Sequence, residues 1–263
     1  MTSVLFVLAL LSACGPARIP NGINDPYEEQ NRAVHRDNVA LDKALVRPAA
    51  DIYGTGVPQP LRRGIGRVAS NLDTPRMAVD SLLQGRLEDA VHSSFRFLVN
   101  STIGIGGLFD PATEMGLEER NTDFCATLHV WGVGEGAYTE LPLIGPSTDR
   151  DTAGMVVDLF LNPLAAVLPT PEKHIGKVVR PLAKLDDRYT YGDTVDSVLY
   201  DSADSYAQTR TIYLQHRRFE LRKLAGGSDE GYIDPYAEGE AADLADPYAV
   251  DSDFADPYED LPQ

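Results

Sequence analysis

A cysteine preceded by a short apolar run is the first residue of this chain with definite chemistry. The run at residues 4–11 is too short to span a bilayer, and Leu11-Ser12-Ala13-Cys14 sets small residues before a cysteine in the pattern of a lipobox. Residues 1–13 therefore read as a signal peptide cleaved before Cys14, which becomes a lipid-modified N-terminus. At ~0.8 kcal/mol per buried methylene, three acyl chains anchor a protein far more firmly than one. Gly15 follows, not Asp, which points to the outer membrane of a two-membrane envelope. Met1, Thr2 and Ser3 supply no basic residue, so a start codon further upstream is expected.

Five other clusters could carry chemistry. Trp131-Gly132-Val133-Gly134-Glu135-Gly136 puts glycine at every second position, so one face of an extended segment would be bare backbone. A flexible hairpin and an ordinary tight turn both fit, with Trp131 and Tyr138 holding the ends in an apolar layer in the first case. Cys125 and His129 are four apart, half of a zinc site at most, and a core thiol beside a hydrogen-bonded histidine is the commoner meaning. No metal site and no cofactor are expected. Gly145-Pro146-Ser147-Thr148-Asp149 lacks the final glycine of a nucleophile elbow, and no strand-to-helix turn is expected there. Gly104, Gly106 and Gly107 follow a helix and lack nucleotide-loop spacing. Lys177 and Arg180 could meet a phosphate through charge-assisted bonds, or be solvated surface bases.

The elements that must position these groups are mostly helices punctuated by Gly and Pro. In residues 60–72, Leu61, Ile65, Val68 and Leu72 recur at helical spacing while Arg62, Arg63 and Arg67 fall on the other side, which predicts a short amphipathic helix with a basic face. A second helix is expected to start at Thr74 as N-cap with Pro75 at its first position and to stop at Gly85. A third carries Leu87, Ala90, Val91, Ser94, Phe95 and Leu98 on one stripe and ends near Asn100. Residues 152–168 read as a core helix or one lying in a lipid interface, and residues 195–224 as one helix ended by basic residues and Gly226-Gly227. Strand evidence is confined to the neighbourhood of Trp131. After cleavage Cys125 is the one ordinary cysteine, so no disulfide forms and the fold must rest on its core.

The formal charge of −17 is concentrated at one end: residues 226–263 hold twelve acids and no base, leaving 28 acids against 23 bases elsewhere. That tail repeats Asp-Pro-Tyr at 234, 246 and 256 and has few aliphatic residues, so it is expected to be disordered. Nucleic acid is an unsuitable partner for this surface. The chain thus divides into residues 1–13, a linker at 14–23, a body at 24–225 and the acidic tail at 226–263.

The block NDPYEEQNR at 24–32 resembles the opening of MlaA (VacJ) family lipoproteins. VRPAADIY, VPQPLRRGIGRVASNL, RFLVNSTIGIGGLFDPA, TLHVWGVGEGAY and LPLIGPSTDRD follow in the family's order. Asp204, Tyr206, Arg210, Tyr213, Gln215 and Arg217 or Arg218 look like its closing helix. His35 and Asp37 stand where members commonly carry aromatics, which implies a weakened membrane-facing contact. The resemblance implies a mainly α, ring- or disc-shaped domain in the inner leaflet of the outer membrane, with a central amphipathic channel and little β structure. It implies passage of phospholipids between that membrane and a periplasmic, MlaC-like carrier, trimeric porins as partners, and no enzymatic activity. A structural porin-associated lipoprotein and a phospholipase are the alternatives.

Overall fold

Local signals set most helix boundaries in the computed structural model, which describes residues 17–164, 169 and 174–224. The lipobox, Cys14 and the acidic tail lie outside the described residues. Helix α1 (Glu28–Leu41) opens with two glutamates in its first turn, favourably placed against the helix dipole. It runs through a π-helical turn (Asp42–Val46) into α2 (Arg47–Gly56). Next come α3 (Gln59–Leu83), α4 (Leu87–Thr102), the short α5 (Pro111–Glu114) and α6 (Phe124–Val130). Strands β1 (Tyr138–Leu141) and β2 (Gly145–Thr148) pair antiparallel in a two-stranded sheet, and α7 (Asp149–Leu161), α8 (Gly176–Thr190), α9 (Gly192–Leu199) and α10 (Ser205–Leu224) complete the body. The domain is mainly α, and among the described residues no helix is long and apolar enough to cross a membrane.

Two expected boundaries are corrected. The helices expected at 60–72 and from Thr74 are one, α3, with Pro75 inside it. Thr74 does not cap: it is buried and its hydroxyl donates to the Ser70 carbonyl at 3.0 Å. An internal proline disturbs the hydrogen bonds of the preceding turn, and the Asn162 amide donates to the Leu72 carbonyl there at 3.0 Å. Gly85 does end the helix: at φ +75° it lets Arg86 N–H reach the Ser81 carbonyl (2.8 Å) and its own N–H reach Leu82 (3.0 Å), a Schellman cap. Conversely, the helix expected over 195–224 is two. Asp204 accepts the Ala207 N–H at 3.1 Å and so starts α10 as an N-cap.

The polarity of the packing reverses the expectation of an apolar core. On α4 the predicted stripe exists but points outward: Phe95 is 58% exposed, with Leu87, Val91 and Leu98 beside it. The adjacent face, Asp89, Ser93, Arg96 and Asn100, is buried. Arg96 donates to Asp110 (2.8 Å), Thr113 Oγ1 (2.8 Å) and the Leu117 carbonyl (2.6 Å). Asn100 donates to Asp110 (2.9 Å) and accepts from Ala112 N–H (3.1 Å). Val156, Leu159 and Phe160 on α7 are likewise exposed, which favours the interfacial reading of that helix. The buried apolar cluster is small, centred on Tyr138, Tyr206 and Leu214.

Replacing Arg96 by Met is therefore expected to cost about 3–5 kcal/mol, because Asp110 is left partly buried and without its cation. Phe95→Ser, one residue away, should leave unfolding in detergent nearly unchanged. Chemical denaturation of the two variants in the same detergent checks the contrast.

Candidate functional site

The long-range order of the body rests on polar side chains that α1 and α10 extend toward the sheet. Asn31 donates to the Tyr138 carbonyl (3.1 Å) and accepts from Glu140 N–H (3.0 Å), as a neighbouring strand would. Seven residues on, Asn38 does the same at the hairpin turn, donating to the Leu141 carbonyl (3.0 Å) and accepting from Leu143 N–H (2.8 Å). Seven residues is about two helical turns, so both amides lie on one face of α1. His35 between them is buried against Glu140 (3.2 Å) and Ser205 (3.1 Å). His35 thus points inward, contrary to the membrane-facing place expected of it, whereas Asp37 is exposed.

Helix α10 repeats one device twice. Tyr206 and Arg210 both engage Asp25, and Tyr213 and Arg217 both engage Asp151. Arg217 also holds Asp123 (2.6 Å), and Arg218 holds Glu135 (2.7 Å). Desolvation disfavours the charged guanidinium of Arg217, yet the carboxylates of Asp123 and Asp151 outweigh it and raise its pKa. Beside this network opens a cavity of about 430 Å³ lined in part by Cys125, Met155, Ile212 and Tyr213. Cys125 sits against Asp151, and burial pushes its thiol up to about 12, which makes it inert at neutral pH. Arg150 donates to Cys125 Sγ (3.4 Å) and lies 3.3 Å from His129 Nδ1. A guanidinium therefore occupies the space between the two residues, which a metal ion would need.

The glycine segment differs from its expected form. Residues 133–137 are neither strand nor helix, and the hairpin lies further on, at 138–148. Gly132 (φ +91°) and Gly136 (φ +79°) are in the left-handed region that only glycine enters freely. Gly134 is not, and nothing lies within 4 Å of the place its Cβ would take. A Cβ on Gly136 would approach the Asp149 side chain to 2.6 Å. Trp131 is half-exposed, donates from Nε1 to the Leu83 carbonyl (3.0 Å) and packs edge-on to Phe124. Tyr138, expected in an apolar outer layer, is instead 1% exposed in the internal cluster, its hydroxyl on Glu140.

Other candidate residues are resolved by their partners. Arg180 is engaged by Asp73 through Nε (3.0 Å) and Nη2 (2.6 Å), whereas Lys177 is exposed with no ion pair among the described residues. Strand β2 does lead directly into α7, contrary to expectation, but Ser147 is fully buried, donating to the Thr148 carbonyl and 3.0 Å from Thr152 Oγ1. Gly104, Gly106 and Gly107 form a turn that exposes Ile103, Ile105 and Phe109. Sequence reasoning missed the buried charge networks, among them Arg96–Asp110 and one around Arg76. Arg76 Nη1 is shared by Asp80 (2.9 Å) and Asp158 (3.0 Å), joining α3 to α7 just past Pro75. Asp80 is fully buried with one oxygen unpartnered, and burial first, then the Asp158 charge, push its pKa up to about 7. The i, i+4 spacing of Arg76 and Asp80 was the available signal.

Charge paired inside and Leu, Phe and Ile turned outward define the body of a protein built to sit against lipid. The sequence model of the MlaA lipoprotein matches residues 23–220. An uncharacterized protein of Rickettsia felis is 36% identical over 201 residues, 76% of this chain and 79% of the relative. The Escherichia coli K12 protein named intermembrane phospholipid transport system lipoprotein MlaA is 33% identical over 229 residues, 86% of this chain and 88% of the relative. A solved chain described under "Structural basis for maintenance of bacterial outer membrane lipid asymmetry" superposes with a TM-score of 0.60 at 29% identity, covering 75% of this chain and 98% of that one. The chain belongs to the MlaA lipoprotein family.

Two expectations follow. Gly136→Val should cost about 1–3 kcal/mol through backbone strain, while Gly134→Val, whose site is open and unstrained, should unfold at the parent's midpoint; thermal melts of both decide it. Asp80 binds a proton when folded, up to about pH 7, that the unfolded chain releases near its ordinary value of 3.8. Its contribution is therefore complete below the lower value and is lost as pH rises through the upper one. Asp80→Asn should flatten the fall in melting temperature between about pH 4 and about pH 7.

Proposed function

We propose that this protein is an outer-membrane lipoprotein that passes phospholipids between that membrane and a periplasmic carrier, and so maintains the membrane's lipid asymmetry. The observation that carries this reading is the reversed polarity of α4 and α7. Phe95, Leu98, Leu159 and Phe160 suit acyl chains, while behind them Arg96 is paired with Asp110 and Asp158 with Arg76. The family relationship and the name of the Escherichia coli relative point the same way.

Anchoring through Cys14, a central channel, a trimeric porin and an MlaC-like carrier belong to the same proposal, on the strength of the family resemblance. The segment from Trp131 to Gly136 is the proposed moving element, with Gly132 and Gly136 supplying its turns. The lipid is handled intact. Ser147, in β2 just before α7, has its hydroxyl buried and held by Thr148 and Thr152.

The test is to purify the full lipoprotein, extract bound phospholipid, and follow its transfer to acceptor vesicles without release of fatty acid. Cys14→Ala should abolish fractionation with the outer membrane and raise outer-leaflet phospholipid in cells. A variant that fractionates normally would sink the anchoring claim, and fatty-acid release would favour the phospholipase reading.

A further inference from the structure

Helix α3 has an exposed basic face with no counter-charge among the described residues. Its lateral sides are packed. Arg62 is paired with Asp186 of α8, while Gly64 and Asn71 lie against Leu108 and Gly107 of the turn after α4. Taking about 100° per residue, Leu61, Ile65, Val68 and Leu72 centre on a direction about 150° from that of Arg63 and Arg67. Leu61 is 53% exposed, and Arg63 and Arg67 are both exposed. Ile65, Val68 and Leu72 are half-buried, so the basic side is the more open of the two.

Most arginines of this body are ion-paired, including Arg62, Arg76, Arg96, Arg188, Arg210 and Arg217. Arg63 and Arg67 pair with no carboxylate among the described residues, although acids outnumber bases in the chain. They stand four apart, where like charges repel mildly, so an anion between them is favoured. Gly66 lies beside both, and nothing is within 4 Å of the place its Cβ would take. Bare backbone next to two guanidinium forks leaves room for a tetrahedral anion to be held bidentately.

We propose that Arg63, Gly66 and Arg67 form a phosphate-binding step that receives the head group of a phospholipid at the exposed basic face of α3. This assignment rests on the lipid-handling reading given above. It moves the head-group contact from Arg180, which Asp73 already occupies, to the N-terminal third of α3.

The experiment uses the full lipoprotein and acceptor vesicles of phosphatidylethanolamine with or without phosphatidylglycerol. Arg63→Gln/Arg67→Gln should keep the parent's melting temperature and membrane fractionation, yet lose phospholipid transfer by about tenfold or more, the scale of one charge-assisted bond removed. Arg63→Lys/Arg67→Lys should recover part of it. Gly66→Leu, a change that helix propensity favours and open space permits, should impair transfer by filling the step. Arg222→Gln/Lys223→Gln, exposed bases at the end of α10, should transfer as the parent does. Normal transfer by both the double Gln variant and Gly66→Leu overturns the proposal. So does competition by millimolar inorganic phosphate that leaves lipid transfer intact, which would make this a site for free phosphate. A parent that takes up no phospholipid overturns the lipid-handling reading itself, a distinct outcome.

Discussion

The fold depends on hydrogen bonds and ion pairs among buried polar groups, inside a body that turns apolar faces outward on α4 and α7. In water a helical domain gains most of its stability by burying Leu, Ile and Phe; next to acyl chains that gain vanishes, because the surroundings are as apolar as the interior would be. Hydrogen bonds and ion pairs then determine how the helices sit. Asp110 illustrates the demand. Burial alone would raise its pKa, yet Thr113, Arg96 and Asn100 hold it at about 2, so the carboxylate stays charged and keeps residues 110–117 against α4.

The same logic explains the closing helix. Helix α10 buries only Tyr206, Leu214 and Leu221, too little apolar surface to hold a 20-residue helix against the body. Its two Tyr-Arg pairs, seven residues apart, reach Asp25 at the start of the chain and Asp151 at the start of α7. Distant parts of the sequence are therefore joined by directional contacts, which suits a structure that must not rearrange as lipid moves past it. Asn31 and Asn38 act likewise from α1 on the hairpin.

Against this rigid frame, the stretch from Val133 to Ala137 stands out as backbone without regular structure, bounded by two glycines in the left-handed region. Its ends are fixed differently. Trp131 packs at the surface on Phe124 and Leu83, and Tyr138 is locked in the interior. Asp149 accepts the Ala137 N–H at 2.8 Å, so the far end is tied to the N-terminus of α7.

The sequence by itself determined what is local. The glycine stop at Gly85, the stripe on α4 and the exposed Arg63 and Arg67 of α3 depend on spacing and neighbours along the chain, whereas the sequence left residues 152–168 as either a core or an interfacial helix. The resemblance of its ordered motifs to one family fixed the architecture. Tertiary structure decided the direction each face takes. Periodicity shows that Leu87, Val91, Phe95 and Leu98 share a side of a helix, but the sign of burial depends on the solvent, and the stripe that faces inward in water faces outward against lipid. It also decided which charges are spent. Arg180 and Arg67 are equally basic in sequence, and only the arrival of Asp73 from another helix neutralises the first and leaves the second open.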